Sequence, residues 1–301
     1  MPPILQADVY VSSRLPLAIK RAGEPSLFSP ISCTLIHGST DAALVDTPIS
    51  ISQTEDLAAW IKATAPRKSL RYVYITHGHG DHCFGIPTLR AHWPDLVVVA
   101  TAGTVAHMRE QLGPAILEGT WLTLFPNGQI AAVDDLQREL SLVQTLTGSP
   151  KPVSFTLEDH KLHAIEVGHT DTHDTTVLHV PSLRLVVAGD AVYGDVHQYF
   201  GEANTPAKRA EWLRALDTIE ALDAQTVVAG HKRAGTVDGL FNLRKTRQYI
   251  LDFEDAVAKT KDWKELAGEM QRIYPNRINP HAILRGAAAA FPEGGVVGAK
   301  V

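Results

Sequence analysis

Apolar residues recur along the chain with two different periods. "ISCTLIHG" and "DAALVDT" are short, nearly continuous apolar runs joined by the turn "GSTD", which predicts two strands of a hairpin. "TEDLAAWIKATA" follows with an acidic first turn and Leu57, Trp60 and Ile61 at helical spacing, which predicts a helix. "RYVYIT" reads as a strand, "GIPTLRAHW" as a short helix and "LVVVA" as a buried strand. Between about residues 102 and 150 the pattern turns helical, in "GTVAHMREQL" and "DDLQRELSLVQTL". Strands return in "KLHAIEVG", "TTVLHV" and "RLVVAGD". The helix "PAKRAEWLRALDTIEAL", the strand "QTVVAG" and further helices, about 238–290, complete the chain, and the tail "FPEGGVVGAKV" reads as frayed. Strands mixed with helices on this scale predict an α/β sandwich with helices outside and sheet inside. The early hairpin excludes a purely parallel sheet.

Length and composition narrow this only a little. The chain has 301 residues, 45% of them hydrophobic, enough for one large core spanning residues 1–301. The net charge of −5, with no long basic run, points away from a nucleic-acid partner. Cys33 and Cys83 are too few for a disulfide framework, and both read as core residues. No apolar run approaches a membrane span, and "MPPILQADVY" carries no secretory pattern, so the expected location is the cytoplasm. The expected partners are a small-molecule substrate and at most a second copy of the chain in a homodimer, with neither nucleic acid nor membrane.

The chemistry concentrates in "THGHGDHCFG". His77, His79, Asp81 and His82 crowd together directly after a predicted strand, with Gly78 and Gly80 between them to let the backbone fold tightly. Imidazole nitrogens and carboxylate oxygens are zinc ligands, but one loop is too cramped to complete such a site. Three distant residues share one setting: His169 after "AIEVG", Asp190 after "LVVAG" and His231 after "TVVAG". Each ends a predicted strand behind a glycine, so separate strands deliver them to one rim of the sheet.

In these residues the sequence resembles the metallo-β-lactamase superfamily of metal-dependent hydrolases, over about residues 31 to 232. That resemblance implies a four-layer αββα sandwich, carrying here a helical insertion at about 102–150 and C-terminal helices. It assigns His77, His79 and His169 to a first metal and Asp81, His82 and His231 to a second. Asp190 is then the bridge between them and Asp46 a supporting acidic residue. One stretch departs from the family: "GHTDTH" stands where many relatives read Gly-His-Thr-Pro-Gly-His. His173 keeps the later histidine without being expected as a ligand. Two zinc ions per chain are implied, with manganese or iron compatible with a mixed nitrogen and oxygen site. Two such metals about 3.5–4 Å apart acidify a water and clamp the reacting oxygens. Two divalent cations set against Asp81, Asp190 and a hydroxide leave about one positive charge, which favours an anionic tetrahedral intermediate and so acyl hydrolysis.

Aspartate at position 190 is similar to the relatives that act on lactones, thioesters or phosphodiesters, not to those that open β-lactam antibiotics. Tyr193, three residues further on, resembles the tyrosine that supports the substrate carbonyl in acyl-homoserine-lactone lactonases. Asp81 and Tyr193 are therefore the residues assigned to catalysis, with His197 and Tyr199 following in the same loop. Met108, Trp121, Leu122, Leu124 and Phe125 could wall the pocket with apolar surface or pack as ordinary helix. Arg244, Lys245 and Arg247 read as a solvated charged face, with a similarity to the glutathione-binding helices of glyoxalase II as the alternative. The expected activity is opening of a cyclic ester or cyclic amide, a lactone or lactam, with a glyoxalase II-type thioesterase as the alternative.

Overall fold

A computed structural model describes residues 4–21, 24–149 and 151–291. The strands in chain order are β1 (Gln6–Val11), the hairpin β2 (Pro16–Arg21) and β3 (Glu24–Leu27), β4 (Ser32–His37), β5 (Asp41–Val45), β6 (Ser69–Tyr74), β7 (Val97–Ala100) and β8 (Gln144–Thr145). The second half adds β9 (Val153–Leu157), β10 (His160–Gly168), β11 (Thr175–Val180), β12 (Leu185–Val187), β13 (Tyr193–Gly194), β14 (Thr226–Val228) and β15 (His231–Lys232). One sheet runs β1-β4-β5-β6-β7-β8 and the other β14-β12-β11-β10-β9. β4 and β5 form the predicted antiparallel hairpin, with His37 opposite Ala42, whereas β5, β6 and β7 are parallel.

The apolar runs are continuous because each central strand is buried on both faces. Ile36, Ala43, Val45, Tyr74 and Val99 point between the sheets and meet Phe155, Leu162, Leu178 and Val187. Their neighbours Leu35, Leu44, Val73 and Val98 point outward onto Leu57, Ile61 and Leu89 of the helices Ile51–Thr64 and Ile86–His92. On the far side Val177, Val186 and Val227 pack under Trp212, Tyr249 and Phe253 of the helices Pro206–Glu220 and Phe241–Lys259. The period-two alternation thus builds four layers, helix, sheet, sheet and helix.

Four details differ from the sequence expectation. "QADVYV" forms the edge strand β1, although its residues stay half-exposed and give no strong apolar run. β9 pairs with β10 from a stretch where no element is predicted. The helix expected through "DDLQRELSLVQTL" ends at Ser141, and Gln144–Thr145 instead extend the first sheet beside β7. His79 caps a short helix, Gly80–Cys83, so the ligand-rich segment is a short loop after β6 that runs into a helical turn. The tail from 292 lies outside the described residues. Among the described residues no helix is long and apolar enough to cross a membrane.

Candidate metal centre

The cluster sits where β6 runs out, and Asp46 fastens it. Asp46 follows β5 and adopts φ 61°, a left-handed conformation that aspartate tolerates better than most residues. Its Oδ1 accepts from the Thr76 backbone N–H (2.8 Å), and its Oδ2 accepts from Thr76 Oγ1 (2.8 Å). The same Oδ2 accepts from His82 Nδ1 (2.9 Å). Cys83 is fully buried as expected, its thiol donating to the His79 carbonyl (3.4 Å).

Neighbours engage one nitrogen of each cluster histidine and turn the other inward, where a neutral imidazole would offer a lone pair. His82 donates Nδ1–H to Asp46, so Nε2 faces Asp190 Oδ1 at 3.2 Å. His231 donates Nδ1–H to the Pro30 carbonyl (2.9 Å), and its Nε2 lies 3.2 Å from Asp81 Oδ2 and 3.3 Å from Asp190 Oδ2. Thr76 Oγ1, already donating to Asp46, accepts from His77 Nδ1 (3.1 Å) and leaves His77 Nε2 inward. His79 donates Nε2–H to Glu202 Oε1 (3.0 Å) and presents Nδ1. His77 Nε2, His82 Nε2 and Asp190 Oδ1 are buried without a hydrogen-bond partner. Imidazole nitrogens and carboxylate oxygens converging in a dry site call for positive charge between them, a donor set that fits divalent cations.

Glycine is required at two of these strand ends. Gly189 takes φ +50°, and a Cβ there would strike Thr76. A Cβ on Gly230 would strike Asp190 and the Gly189 backbone.

Charges follow the same geometry. Burial opposes a charge on His82 and His231, but Asp190 and its neighbours override it, lifting His82 well above the usual range and His231 to about 10. Burial and the adjacent His82 and His79 push His77 well down. Asp190, although buried, is held well below the usual carboxylate range by His231 and His82. Positive charge at this point is what the buried carboxylates need, whether from protons or from metal ions.

The expected ligands do not all meet. Ligand atoms of Asp81, His82 and His231 lie within 4.8 Å of one another, as do those of His77, His82 and Asp190. His77 and His79 are joined by Asp171, and His169 enters no such group. The backbone N–H of His169 donates to Glu211 Oε1 (3.2 Å), which draws residue 169 toward the helix Pro206–Glu220. Tyr193 lines the cavity and is 2% exposed, and its hydroxyl donates to Asp190 Oδ2 (2.6 Å), steadying the aspartate.

Residues 27–231 match the metallo-beta-lactamase superfamily. The chain belongs to that superfamily. Metallo-beta-lactamase structures similar to it include one from Pontibacter korlensis, 18% identical with a TM-score of 0.55, covering 82% of this chain and 99% of that one. The DIM-1 metallo-beta-lactamase exposed to ceftazidime is 20% identical with a TM-score of 0.56, covering 84% and 99%. FIM-1 from Pseudomonas aeruginosa, in its mono-zinc form, is 18% identical with a TM-score of 0.54, covering 83% and 92%. At these identities the likeness is one of fold. No curated protein sequence matches this chain. Superfamily membership and the His/Asp groups together make it a metal-dependent hydrolase.

A cavity of about 230 Å³ opens over this metallo-beta-lactamase centre, with His79, Asp81, Asp190 and His231 at its floor. Trp121 and Leu124 of the helical stretch line it, whereas Met108 and Phe125 are core and Leu122 packs against the core. His197 and Tyr199 also line it. Arg244 is exposed, Lys245 pairs with Asp195, and Arg247 pairs with Asp217, so the basic face of Phe241–Lys259 is solvated and away from the cavity. Sequence reasoning missed Asp171, Glu202 and the cavity-lining Arg285. Asp171 had a visible signal, because it stands in the departing "GHTDTH" stretch, whereas Glu202 and Arg285 sit in no motif.

Proposed function

We propose that this hydrolase opens a cyclic ester or cyclic amide of a small organic molecule, using two divalent cations with zinc favoured. The observation that carries the reading is the cavity itself. Its floor is the His/Asp cluster, and Phe28, Ile116, Trp121 and Leu124 supply apolar wall above it. A compact molecule with an apolar body and one polar reacting group suits such a space. Bound cations would supply an acidified water and positive charge for the developing oxyanion.

The chain's own residues would do the rest. His77, His79, Asp81, His82, Asp190 and His231 would hold the cations, with Asp190 reaching both sides of the cluster. Tyr193 fixes Asp190, Asp46 orients His82, and Glu202 orients His79. Asp81 Oδ2 borders the cavity beside His231 Nε2 and is placed to take a proton from the attacking water and return it to the leaving atom. A ring-opened product keeps its leaving group tethered, so that this relay, one proton taken from water and then given to the leaving atom, completes the turnover.

The test is a hydrolysis panel of lactones, lactams, thioesters and phosphodiesters with zinc-loaded protein. Cyclic esters or amides should be turned over fastest. Glutathione thioesters preferred by orders of magnitude would replace this reading with a thioesterase.

A further inference from the structure

We propose that Asp171, not His169, completes the first metal position with His77 and His79. The assignment rests on the metal-dependent reading above, because it names a ligand of that same centre.

Asp171 is fully buried, in the loop between β10 and β11. Its Oδ1 accepts from Thr170 Oγ1 (2.9 Å). Its Oδ2 has no hydrogen-bond partner, yet lies 3.1 Å from His79 Nδ1 and 3.9 Å from His77 Nε2. Both imidazoles have their other nitrogen engaged, His79 by Glu202 and His77 by Thr76. As neutral imidazoles, each would therefore turn a lone pair toward the Asp171 oxygen. Two lone pairs and a carboxylate oxygen at such distances need positive charge between them, which a bound cation would supply to all three donors at once. An unpartnered carboxylate oxygen with no access to water makes the same demand.

The loop's register explains how the aspartate reaches this place. The Thr176 backbone N–H donates to the Thr76 carbonyl (2.9 Å), and Thr176 Oγ1 donates to the same oxygen (2.7 Å). The start of β11 is thus tied to the residue just before His77. Thr172 Oγ1 donates to Glu202 Oε2 (2.5 Å), the carboxylate that also orients His79. Counting back from these anchors places Asp171 over His77 and His79. His169 lies two residues further back, next to Gly168 at φ +83°; its backbone N–H donates to Glu211, and its Nε2, although buried without a hydrogen-bond partner, joins no group with His77 and His79. A histidine that looks correct by local motif is therefore displaced, and the aspartate beside it stands at the cluster.

A carboxylate in place of an imidazole changes the site's chemistry. It removes about one unit of positive charge from the loaded centre, and a position of two nitrogens and one oxygen accepts manganese or iron more readily than an all-imidazole one.

The test compares wild type, Asp171→Asn and His169→Gln, each saturated with zinc, desalted and analysed for metal content, with cobalt(II) absorption spectra alongside. Wild type and His169→Gln should hold about two metals with matching cobalt spectra, and Asp171→Asn about one. If Asp171→Asn does not fold, Asp171→His serves: it should keep about two metals, shift the cobalt bands and lower manganese uptake relative to zinc. Metal lost from His169→Gln, alone or alongside Asp171→Asn, overturns the assignment, as does an unshifted cobalt spectrum in Asp171→His. A wild type that takes up no zinc removes the metallohydrolase reading as well, so the two failures are distinguishable.

Discussion

Replacing Asp46 by asparagine should damage the metal centre without touching any group that faces the cavity. Asparagine tolerates the left-handed backbone at this position, so the φ of 61° is not an obstacle. Its amide oxygen can still accept from the Thr76 N–H. The amide nitrogen then stands where Oδ2 accepted from Thr76 Oγ1 and from His82 Nδ1. An N–H cannot accept from another N–H, so His82 must switch tautomer to pair with it. The proton moves to Nε2, the atom 3.2 Å from Asp190 Oδ1, and the inward lone pair disappears. Loss of the charge-assisted hydrogen bond should lower stability by about 1.5–3 kcal/mol. Loss of the correct tautomer should weaken the metal position containing His82 by about 10–100-fold, or about 1.4–2.7 kcal/mol. A competitive chelator titration reads both metal equivalents, and only the one involving His82 should weaken. Wild-type affinity for both equivalents in a folded Asp46→Asn protein would refute the tautomer argument.

Tyr193→Phe should lower kcat about 10–100-fold with little change in KM, because the lost donor acts through Asp190 and not on substrate; a silent variant would show that Asp190 needs no such support. His197 is buried near the Arg277 guanidinium, with Nδ1 2.9 Å from the Tyr249 hydroxyl, and burial followed by Arg277 pushes it down to about 4. Its folded value lies below the ordinary value of about 6.5. The stability it contributes is therefore present above that pH and lost as the pH falls toward 4, by about 3 kcal/mol. Urea denaturation at pH 7.5 and 4.5 should show a smaller acid loss for His197→Gln than for wild type, and equal losses would refute the assignment.

Much of the architecture could be read from local pattern because its cause is local. Both-face burial makes β4, β5, β7 and β12 largely buried runs, and the short turn "GSTD" forces the β4/β5 hairpin. β1 and β9 were illegible because they lie at or near sheet edges, where pairing partners supply what apolar pattern does not. The cluster His77, His79, Asp81 and His82 announced itself because one strand end and one helical turn carry it whole.

What the sequence determined, then, was the donor inventory and the strand ends that carry it. Asp190 and His231 arrive where the pattern puts them, because a strand in register and a glycine behind its last residue leave little freedom, and Asp46 arrives at the end of β5. The tertiary structure decided the rest. Tyr193 turns to Asp190 because burial removes its access to water, so its O–H donates to the nearest acceptor. Glu202 and Arg285 reach the site from segments far apart in the chain, which no spacing rule connects. Between His169 and Asp171 the chain offers two ligands two residues apart. The choice falls to the anchoring of β11 on Thr76, a contact across a hundred residues that fixes which of them faces His77 and His79.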